Sequence, residues 1–552
     1  MPTMRASLLA RLSLLTATTV ALPTLLACLD HPLKRVEYEA AQEEMEGIQI
    51  EVNKDVDILF VIDNSGSMGE EQANLSENFG AFIDVLEAED VKANYRLGIT
   101  TTDDGNYWCN GNNVSAAESG QFVLSSCRSR LNEFYFAGDD TNAETACTDF
   151  CDLESIEIQP TPTDIDPEPS ARPWIENIEG ATNLPDGVTT TQAMQCFGPQ
   201  GINGCGFESH LESMWKALRL ARTDGQRQEG FLRDSAILSI VFVTDEADCS
   251  FNRDLQSTVF GEDGVGNQVF WSLPDQQQPS SAVCWNAGVS CDFSQENDQC
   301  ASINLDVDGN ETSNEDNMAL YPLSKYTALV DEIEAEKKVL NPSQEILVSA
   351  IAGVPTNYPE IGVIQYAEGP GSDDPGSFQN RFGISQGCSS EVAEAVPPVR
   401  LREFAENYLV GDENNLFSVC DSDYTPALES IAESIRDQLK PACMPACVAD
   451  TDAVADGLQP LCTLTQTSND GSGNMEVNIP ACGADDAVPE GADVCFVSLT
   501  GDAKDPVCVE EGWNLEFRIV RREGVPAPGG AQVSATCQLS QNKALDCPDL
   551  PG

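Results

Sequence analysis

Runs of apolar residues alternate with helix-spaced apolar residues along the first 440 positions. The run 58–62 and the segment 236–243 are almost wholly apolar, which predicts strands buried on both faces of a parallel sheet. Further strands are predicted over 95–103, 345–354 and 416–420. Helices with one apolar face are predicted over 75–86, 211–218, 326–333 and 428–439. This alternation predicts an α/β fold with a doubly wound, mostly parallel sheet.

Three segments interrupt the alternation, near 104–200, 249–318 and 355–413. They contain most of the cysteines of this region, together with proline-rich and acidic stretches. We expect disulfide-stapled insertions within one domain that spans residues 54–440. Residues 441–552 contain eight cysteines and strand-like segments at 494–499, 513–521 and 531–538. They predict a small C-terminal, disulfide-rich β module.

The N-terminus has the features of an export signal. Arg5 and Arg11 precede an apolar stretch that ends in the letters LLAC, which resemble a bacterial lipobox. Residues 1–27 would then be a lipoprotein signal peptide, Cys28 would be lipidated, and 28–53 would be the lipidated N-terminus and a polar spacer. An uncleaved membrane anchor is the alternative. The expected location is the bacterial cell envelope, at the outer membrane or cell surface rather than the inner membrane.

The cysteine count agrees with export. The chain has 21 cysteines, so 20 remain if Cys28 carries lipid, enough for up to ten disulfides in an oxidising compartment. Only two histidines are present, His31 and His210, which makes a histidine-containing zinc site improbable.

The charge balance restricts the partners. With 29 Lys and Arg against 91 Asp and Glu, the net charge is −62. Such a surface repels phosphate backbones, so nucleic acid is not an expected partner. The acidity suits cation binding, or simply solubility.

Polar oxygen-bearing side chains follow two of the predicted strands. The run 58–62 leads directly into Asp63, Ser65 and Ser67, and the strand at 236–243 leads into Thr244 and Asp245. Ligands of open parallel sheets bind beyond the carboxyl ends of the strands, so Asp63 and Asp245 would face each other if the two strands are neighbours. Carboxylate and hydroxyl oxygens suit Mg²⁺ or Ca²⁺, and a cation would relieve the repulsion between the two carboxylates.

These residues resemble the metal-ion-dependent adhesion site of the von Willebrand factor type A (VWA) domain family, over roughly residues 53–440. The resemblance implies that Ser65 and Ser67 bind a divalent cation directly, and that Asp63 and Asp245 hold it largely through water. It implies a free coordination position for a carboxylate of a protein or glycan partner. The layout also resembles exported bacterial VWA lipoproteins.

One ligand of the family is missing at its usual place. The family supplies a Thr just before the third helix, where this chain reads NGCGFESHLESMW. Glu208 or Ser209 is nearest to that place, and the threonines at 189–191 would reach the site only if the insertion folds back. A glutamate there would give the site a permanent negative ligand.

Two further motifs could carry a function. Asp306, Asp308 and Asn310 alternate around a glycine as in short calcium loops, although a solvated acidic turn explains them as well. Ser385 lies in a G-x-S-x-G string, but no apolar strand precedes it and both histidines come earlier in the chain, so no hydrolase is expected.

Two functions remain open for a non-enzymatic protein. The first is an envelope lipoprotein that binds a protein or glycan partner through the cation of the adhesion site. The second is a disulfide-stapled structural protein of the envelope whose metal site only stabilises the fold.

Overall fold

The structure is a computed structural model that describes residues 45–50, 54–88, 91–112, 116–135, 144–261, 266–273, 278–293, 299–340, 344–356, 358, 362–369, 374, 376–391, 393–410, 414–439, 442–452, 454–455, 457–469, 474–522, 525 and 532–550. The predicted signal peptide, the predicted lipidation site Cys28 and most of the predicted spacer lie outside the described residues.

The strands, in chain order, are β1 Met45–Ile50, β2 Asp55–Ile62, β3 Asn94–Thr101, β4 Ile175–Ile178, β5 Ala181–Thr182, β6 Ile237–Val243, β7 Val289–Asp292, β8 Gln299–Ser302, β9 Ile346–Ala352, β10 Cys388–Ser389, β11 Glu394–Ala395, β12 Leu416–Ser418, β13 Ala442–Cys443, β14 Cys462–Asn469, β15 Asn474–Ile479, β16 Val494–Leu499, β17 Glu516–Arg521 and β18 Gln532–Gln538.

The α-helices are α1 Gly69–Leu86, α2 Tyr107–Asn112, α3 Thr190–Phe197, α4 His210–Ala221, α5 Gln256–Phe260, α6 Ala282–Gly288, α7 Leu323–Leu340, α8 Phe378–Phe382, α9 Val399–Glu406, α10 Thr425–Gln438, α11 Pro506–Glu510 and α12 Lys543–Asp546. Short 3₁₀ or π turns lie at Cys127–Phe134, Glu144–Thr148, Glu315–Asn317, Ala484–Asp486 and Gly501–Ala503.

The main sheet has seven strands in the order β12-β9-β6-β2-β3-β4-β5. The strands from β12 to β3 run parallel to their neighbours, and β4 and β5 add an antiparallel edge. The chain continues from β2 to β3 on one side and later places β6 on the other side of β2. The strand order therefore reverses between β2 and β6, and such a switch point is where open α/β sheets bind ligands. The predicted fold class is confirmed.

The apolar run of β2 is buried because the sheet is covered on both faces. Ile58, Phe60 and Ile62 belong to the core shared with α1 and α10, and Leu59 and Val61 belong to the core shared with α4 and α7. Alternate residues of a strand point to opposite faces, so a continuous apolar run is what two cores require.

Ten disulfides pair the twenty cysteines that follow Cys28, as the cysteine count predicted. Closely spaced cysteines bond to different partners: Cys147 bonds to Cys127, whereas Cys151 bonds to Cys196. The other bonds join Cys109–Cys205, Cys249–Cys284, Cys291–Cys300, Cys388–Cys420, Cys443–Cys508, Cys447–Cys547, Cys462–Cys537 and Cys482–Cys495.

The C-terminal residues form small antiparallel sheets. One has the order β1-β18-β14-β15 and the other β13-β17-β16. The three segments that the sequence predicted as strands correspond to β16, β17 and β18, whereas β14 and β15 were not predicted. The spacer prediction was wrong for Met45–Ile50, which pairs with β18 along its whole length. The partner of this strand lies almost 500 residues away, so no local pattern reveals the pairing.

No helix within the described residues combines the length and the apolar composition needed to cross a membrane.

Candidate metal centre

The adjacent parallel strands β2 and β6 bring Asp63 and Asp245 to one edge of the sheet. Ile62 lies opposite Val243 in the strand register, and the N–H of Asp63 donates to the carbonyl of Val243 at 2.9 Å. Asp63 and Asp245 are both buried. The sequence analysis required the two strands to be neighbours for the aspartates to meet, and β2 and β6 are neighbours.

The loop after β2 gathers the three predicted ligands of the DNSGS string. The Oδ1 atom of Asp63 accepts a hydrogen bond from the main-chain N–H of Ser65 at 2.8 Å. The hydroxyl oxygens of Ser65 and Ser67 lie 3.2 Å apart. Ser65 is buried, whereas Ser67 is exposed. The Gln72 side-chain amide donates to the Asp63 carbonyl at 2.8 Å, which ties the loop to α1. The loop thus holds two hydroxyls side by side, one of them open to solvent.

Asp245 is a buried carboxyl group with a free oxygen. Its Oδ1 atom has no hydrogen-bond partner, and the carboxyl group interacts with the hydroxyl of Ser67. Burial raises the pKa of Asp245 well above its usual range, and the negative charges of Asp63 and Glu71 raise it further. Burial, with a smaller contribution from Asp63, also raises the pKa of Glu71 to about 8. An ion of positive charge would reverse these costs.

Glu208 is a second buried carboxyl group with unsatisfied oxygens. Neither carboxyl oxygen has a hydrogen-bond donor, and the group lies against the carboxyl of Glu246. The two carboxyls can bond only when one of them carries a proton, and otherwise they repel. Burial, then the charges of Glu246 and Asp63, raise the pKa of Glu208 well above its usual range. Burial raises the pKa of Glu246 to about 7.

Of the two residues suggested for the missing threonine, Glu208 presents the free oxygens. The hydroxyl of Ser209 donates instead to the carbonyl of Cys249 at 3.0 Å. The threonines at 189–191 are not brought to the site. The hydroxyl of Thr190 lies 2.8 Å from the Tyr95 hydroxyl, near the amino end of β3, whereas the site lies at the carboxyl ends of the strands.

Three nearby residues escaped the sequence analysis. Glu71 lies in the first turn of α1, Glu246 follows Asp245 directly, and Thr102 follows β3. The N–H of Thr102 donates to the carbonyl of Ile62 at 3.2 Å, and its buried hydroxyl has no partner. Thr102 lies within the predicted strand 95–103, and its position at the carboxyl end of that strand was the available signal.

The second predicted calcium loop is a turn closed by its own aspartate. The Oδ1 atom of Asp306 accepts from the N–H groups of Asp308 and Asn310 at 3.0 and 2.9 Å. These bonds lower the pKa of Asp306. The three side chains are largely solvent-exposed, and the turn accounts for their arrangement without a metal ion.

The main cluster fits a hard cation through a mixed set of ligands. Among the described residues, no group of three or more His, Cys, Asp or Glu side chains is arranged to hold a metal ion alone. A cation bound at this cluster would draw on the hydroxyls of Ser65 and Ser67 as well as on carboxylate oxygens. Buried oxygens without partners, as on Asp245 and Glu208, cost free energy unless a cation or a hydrogen-bond donor compensates them. Hard oxygen ligands of this kind suit Mg²⁺ or Ca²⁺.

No protein-family model matches the chain, and no curated protein matches it. A pilus adhesin, SpaC from Lactobacillus rhamnosus GG in its open conformation, aligns with a TM-score of 0.29 and 10% identity over 91% of this chain and 41% of that chain. The pilus adhesin RrgA from Streptococcus pneumoniae aligns with a TM-score of 0.26 and 10% identity over 90% and 58%. This chain thus spans less than two thirds of either adhesin. Similarity at these scores does not bear on function, which is argued below from the site.

Proposed function

We propose that this protein is a binding module of the bacterial cell envelope that holds Mg²⁺ or Ca²⁺ at the switch point of its sheet. Through that cation it would bind a protein or glycan ligand that presents a carboxylate. The observation that supports this most is that two buried carboxyl groups with unpartnered oxygens, Glu208 and Asp245, both interact with Asp63, which begins the loop that holds two hydroxyls side by side.

Each residue has a role in this proposal. Ser65 and Ser67 would offer hydroxyl oxygens directly, and Asp63 and Asp245 would hold the cation largely through water. Both oxygens of Asp63 already accept hydrogen bonds, from Ser65 and Thr244, which suits an indirect role. Glu208 would add a charged ligand. The bound cation would supply the positive charge that attracts a carboxylate.

Access and location support a binding role. Ser67 and Gly206 are exposed, so the cluster borders solvent on the side where the two loops meet. Ten disulfides indicate an extracytoplasmic protein, because such bonds persist in oxidising compartments. A lipid on Cys28 would retain the protein at the membrane surface, more plausibly at the outer membrane or cell surface than at the inner membrane.

The second candidate is a structural envelope protein whose cation only stabilises the fold. The disulfides Cys109–Cys205 and Cys249–Cys284 close loops beside the segments that supply Glu208 and Asp245. A glutamate at the place of the family threonine could also fill the coordination position that a ligand would use. Both features favour a closed, stabilising site.

A capture experiment distinguishes the two candidates. The immobilised full chain is incubated with envelope extract in Mg²⁺ or Ca²⁺ and in EDTA. The binding proposal predicts capture that EDTA abolishes, that Asp63→Ala removes, and that Asp502→Ala, an exposed aspartate of the C-terminal module, retains. A cation-dependent rise in melting temperature without any such capture would contradict binding and favour the structural candidate.

A further inference from the structure

A chain of hydrogen bonds joins a buried histidine to the proposed cation site. His210 is the first residue of α4 and is fully buried. Its Nε2 atom lies 2.6 Å from the hydroxyl oxygen of Thr244. The same hydroxyl lies 2.7 Å from the Oδ2 atom of Asp63. Helix α4, the end of β6 and the end of β2 are thus linked through three side chains.

The direction of each bond follows from counting protons. The oxygen of Thr244 also accepts the main-chain N–H of Glu246 at 3.1 Å. A hydroxyl has one proton to donate and two lone pairs, and an ionised Asp63 can only accept. The Thr244 proton therefore goes to Asp63, and His210 must donate its Nε2–H to the remaining lone pair. The Nδ1 atom has no hydrogen-bond partner, and the Oδ1 atom of Asp248 lies 3.9 Å from it, beyond hydrogen-bond distance.

We propose that His210 acts through Thr244 as a positioning residue for Asp63. The inference rests on the proposed function, because the purpose of a fixed Asp63 carboxylate is to hold the cation. One oxygen of this carboxylate is fixed by the Ser65 N–H and the other by Thr244, so rotation of the group is restricted. Partners of this kind orient metal-binding carboxylates and tune their affinity.

The histidine itself is held in place by the helix start. The Oδ1 atom of Asp248 accepts the N–H of Leu211 at 3.1 Å, and its Oδ2 atom accepts from Arg400 at 3.0 Å. The first turn of α4, with His210 two positions after Glu208, is therefore anchored to the loop that follows β6. Movement of this turn would shift both Glu208 and the bond to Thr244.

Nitrogen NMR of the full chain, labelled with ¹⁵N at histidine, tests the bond directly and needs no cation. The chain has two histidines, so a His31→Gln variant assigns the signals of His210. The inference predicts a neutral ring protonated at Nε2. A ring protonated at Nδ1 with a bare Nε2 would overturn it, because Thr244 would then donate to His210 and not to Asp63.

Cation affinity tests the positioning role. A glutamine side-chain amide can replace the Nε2–H donor, whereas methionine has similar volume and no donor. His210→Met should weaken Mg²⁺ or Ca²⁺ binding by about 10-fold or more, in the range known for lost outer-shell partners, and His210→Gln should recover most of the affinity. If the wild type binds the cation and His210→Met binds it equally well, the positioning role is wrong while the proposed function stands. If the wild type binds no cation, the proposed function fails and the positioning role fails with it.

Discussion

Three buried carboxyl groups have pKa values that burial raises and the charge of Asp63 raises further: Glu208, Asp245 and Glu71. Burial removes the water that would stabilise their ionised forms, and the neighbouring charges add repulsion. The cation-free protein is therefore expected to keep protons on this cluster at neutral pH. A bound cation stabilises the ionised forms, so its binding should release protons.

Replacing Glu208 by a permanently neutral residue should stabilise the cation-free protein. At pH 8 the folded state must keep a proton on Glu208 that the unfolded state loses, and Glu208→Gln removes this cost, so in EDTA we expect a gain on the order of 1 kcal/mol in the free energy of unfolding. Chemical denaturation measures it. The same variant should bind Mg²⁺ or Ca²⁺ more weakly, because a charged ligand is lost.

Glu176→Gln is the matched control. Glu176 is equally buried, but it accepts from Arg96 at 3.3 Å and from the indole of Trp174 at 3.1 Å. Removing its charge leaves Arg96 with the longer ion pair to Asp164, at 3.5 Å, so this variant should lose stability. Loss of stability in both variants would contradict the account of Glu208.

The stability of the cation-free protein should fall as pH rises toward 8, partly through Glu71. Its pKa is raised to about 8 in the folded state, so above the unfolded pKa of 4.5 the folded state holds a proton that the unfolded state has lost. Stability is thus greatest below pH 4.5 for this group and declines up to its folded pKa, by up to about 1.4 kcal/mol per pH unit. We measure the free energy of unfolding by chemical denaturation in EDTA at pH values from about 5 to about 8. Over this range Glu71→Gln should make the free energy of unfolding depend less on pH than it does in the wild type. An unchanged profile would contradict the burial of an uncompensated carboxyl.

At the scale of elements, the strands that could be predicted are those whose signal is local. The parallel strands β2, β6 and β9 are buried on both faces, so their apolar runs are continuous and unmistakable. The strand β4, next to the edge strand β5, reads IENI and is too short and polar to stand out. The strand β1 is defined by its partner β18, far along the chain. Pairing between distant segments is a tertiary effect that a single window does not contain.

The residues of the candidate site also divide into those with a local sequence signal and those placed by tertiary packing. Four residues of the site were predictable because each follows a strand whose position in the sheet is fixed by its apolar run: Asp63, Ser65, Ser67 and Asp245. Glu208 depends on how the loop before α4 is anchored, for example by the N–H of Cys249 that donates to the Glu208 carbonyl at 2.7 Å. The bond between His210 and Thr244 likewise depends on how the start of α4 packs against the end of β6, and the two residues are 34 positions apart in the chain.

Disulfides of the C-terminal module should contribute according to the length of the loop they close. Cys447–Cys547 spans 100 residues and Cys482–Cys495 spans 13, within the same module. Cross-linking lowers the entropy of the unfolded chain more for a longer loop, so replacing the long bond by two alanines should cost about 2 kcal/mol more than replacing the short one. Calorimetric unfolding of both double variants measures the difference. Equal losses would show that strain or residual structure, and not loop closure, controls this module.

At the scale of the whole molecule, the charge makes the cation important for any acidic partner. A chain with a net charge of −62 repels a ligand that presents a carboxylate. A divalent cation at the sheet edge would create a local positive charge where that ligand binds. Under the proposed function, an acidic partner would bind only while the cation is present. This is why EDTA should abolish capture.

The exported protein should contain almost no free thiol. Ten disulfides use the twenty cysteines after Cys28, and lipid would occupy Cys28. A thiol reagent added to protein denatured without reductant should find none, or one per chain if Cys28 is unmodified. Several reactive thiols would contradict the disulfide pattern.

Cys28→Ser should release the protein from membranes or block its maturation, and full membrane retention at normal mature mass would indicate an uncleaved anchor instead.

Isothermal titration calorimetry of the full chain with Mg²⁺ and with Ca²⁺ tests the central claim most directly. The account predicts saturable binding of one cation by the wild type and by Asp502→Ala. Asp63→Ala should lose this binding and keep its fold, since it removes a ligand and also relieves repulsion with Asp245. Ser65→Ala and Ser67→Ala should weaken binding less, because a hydroxyl brings no charge. Equal cation affinity in the wild type and in Asp63→Ala would contradict the site at the end of β2 and the proposed function with it.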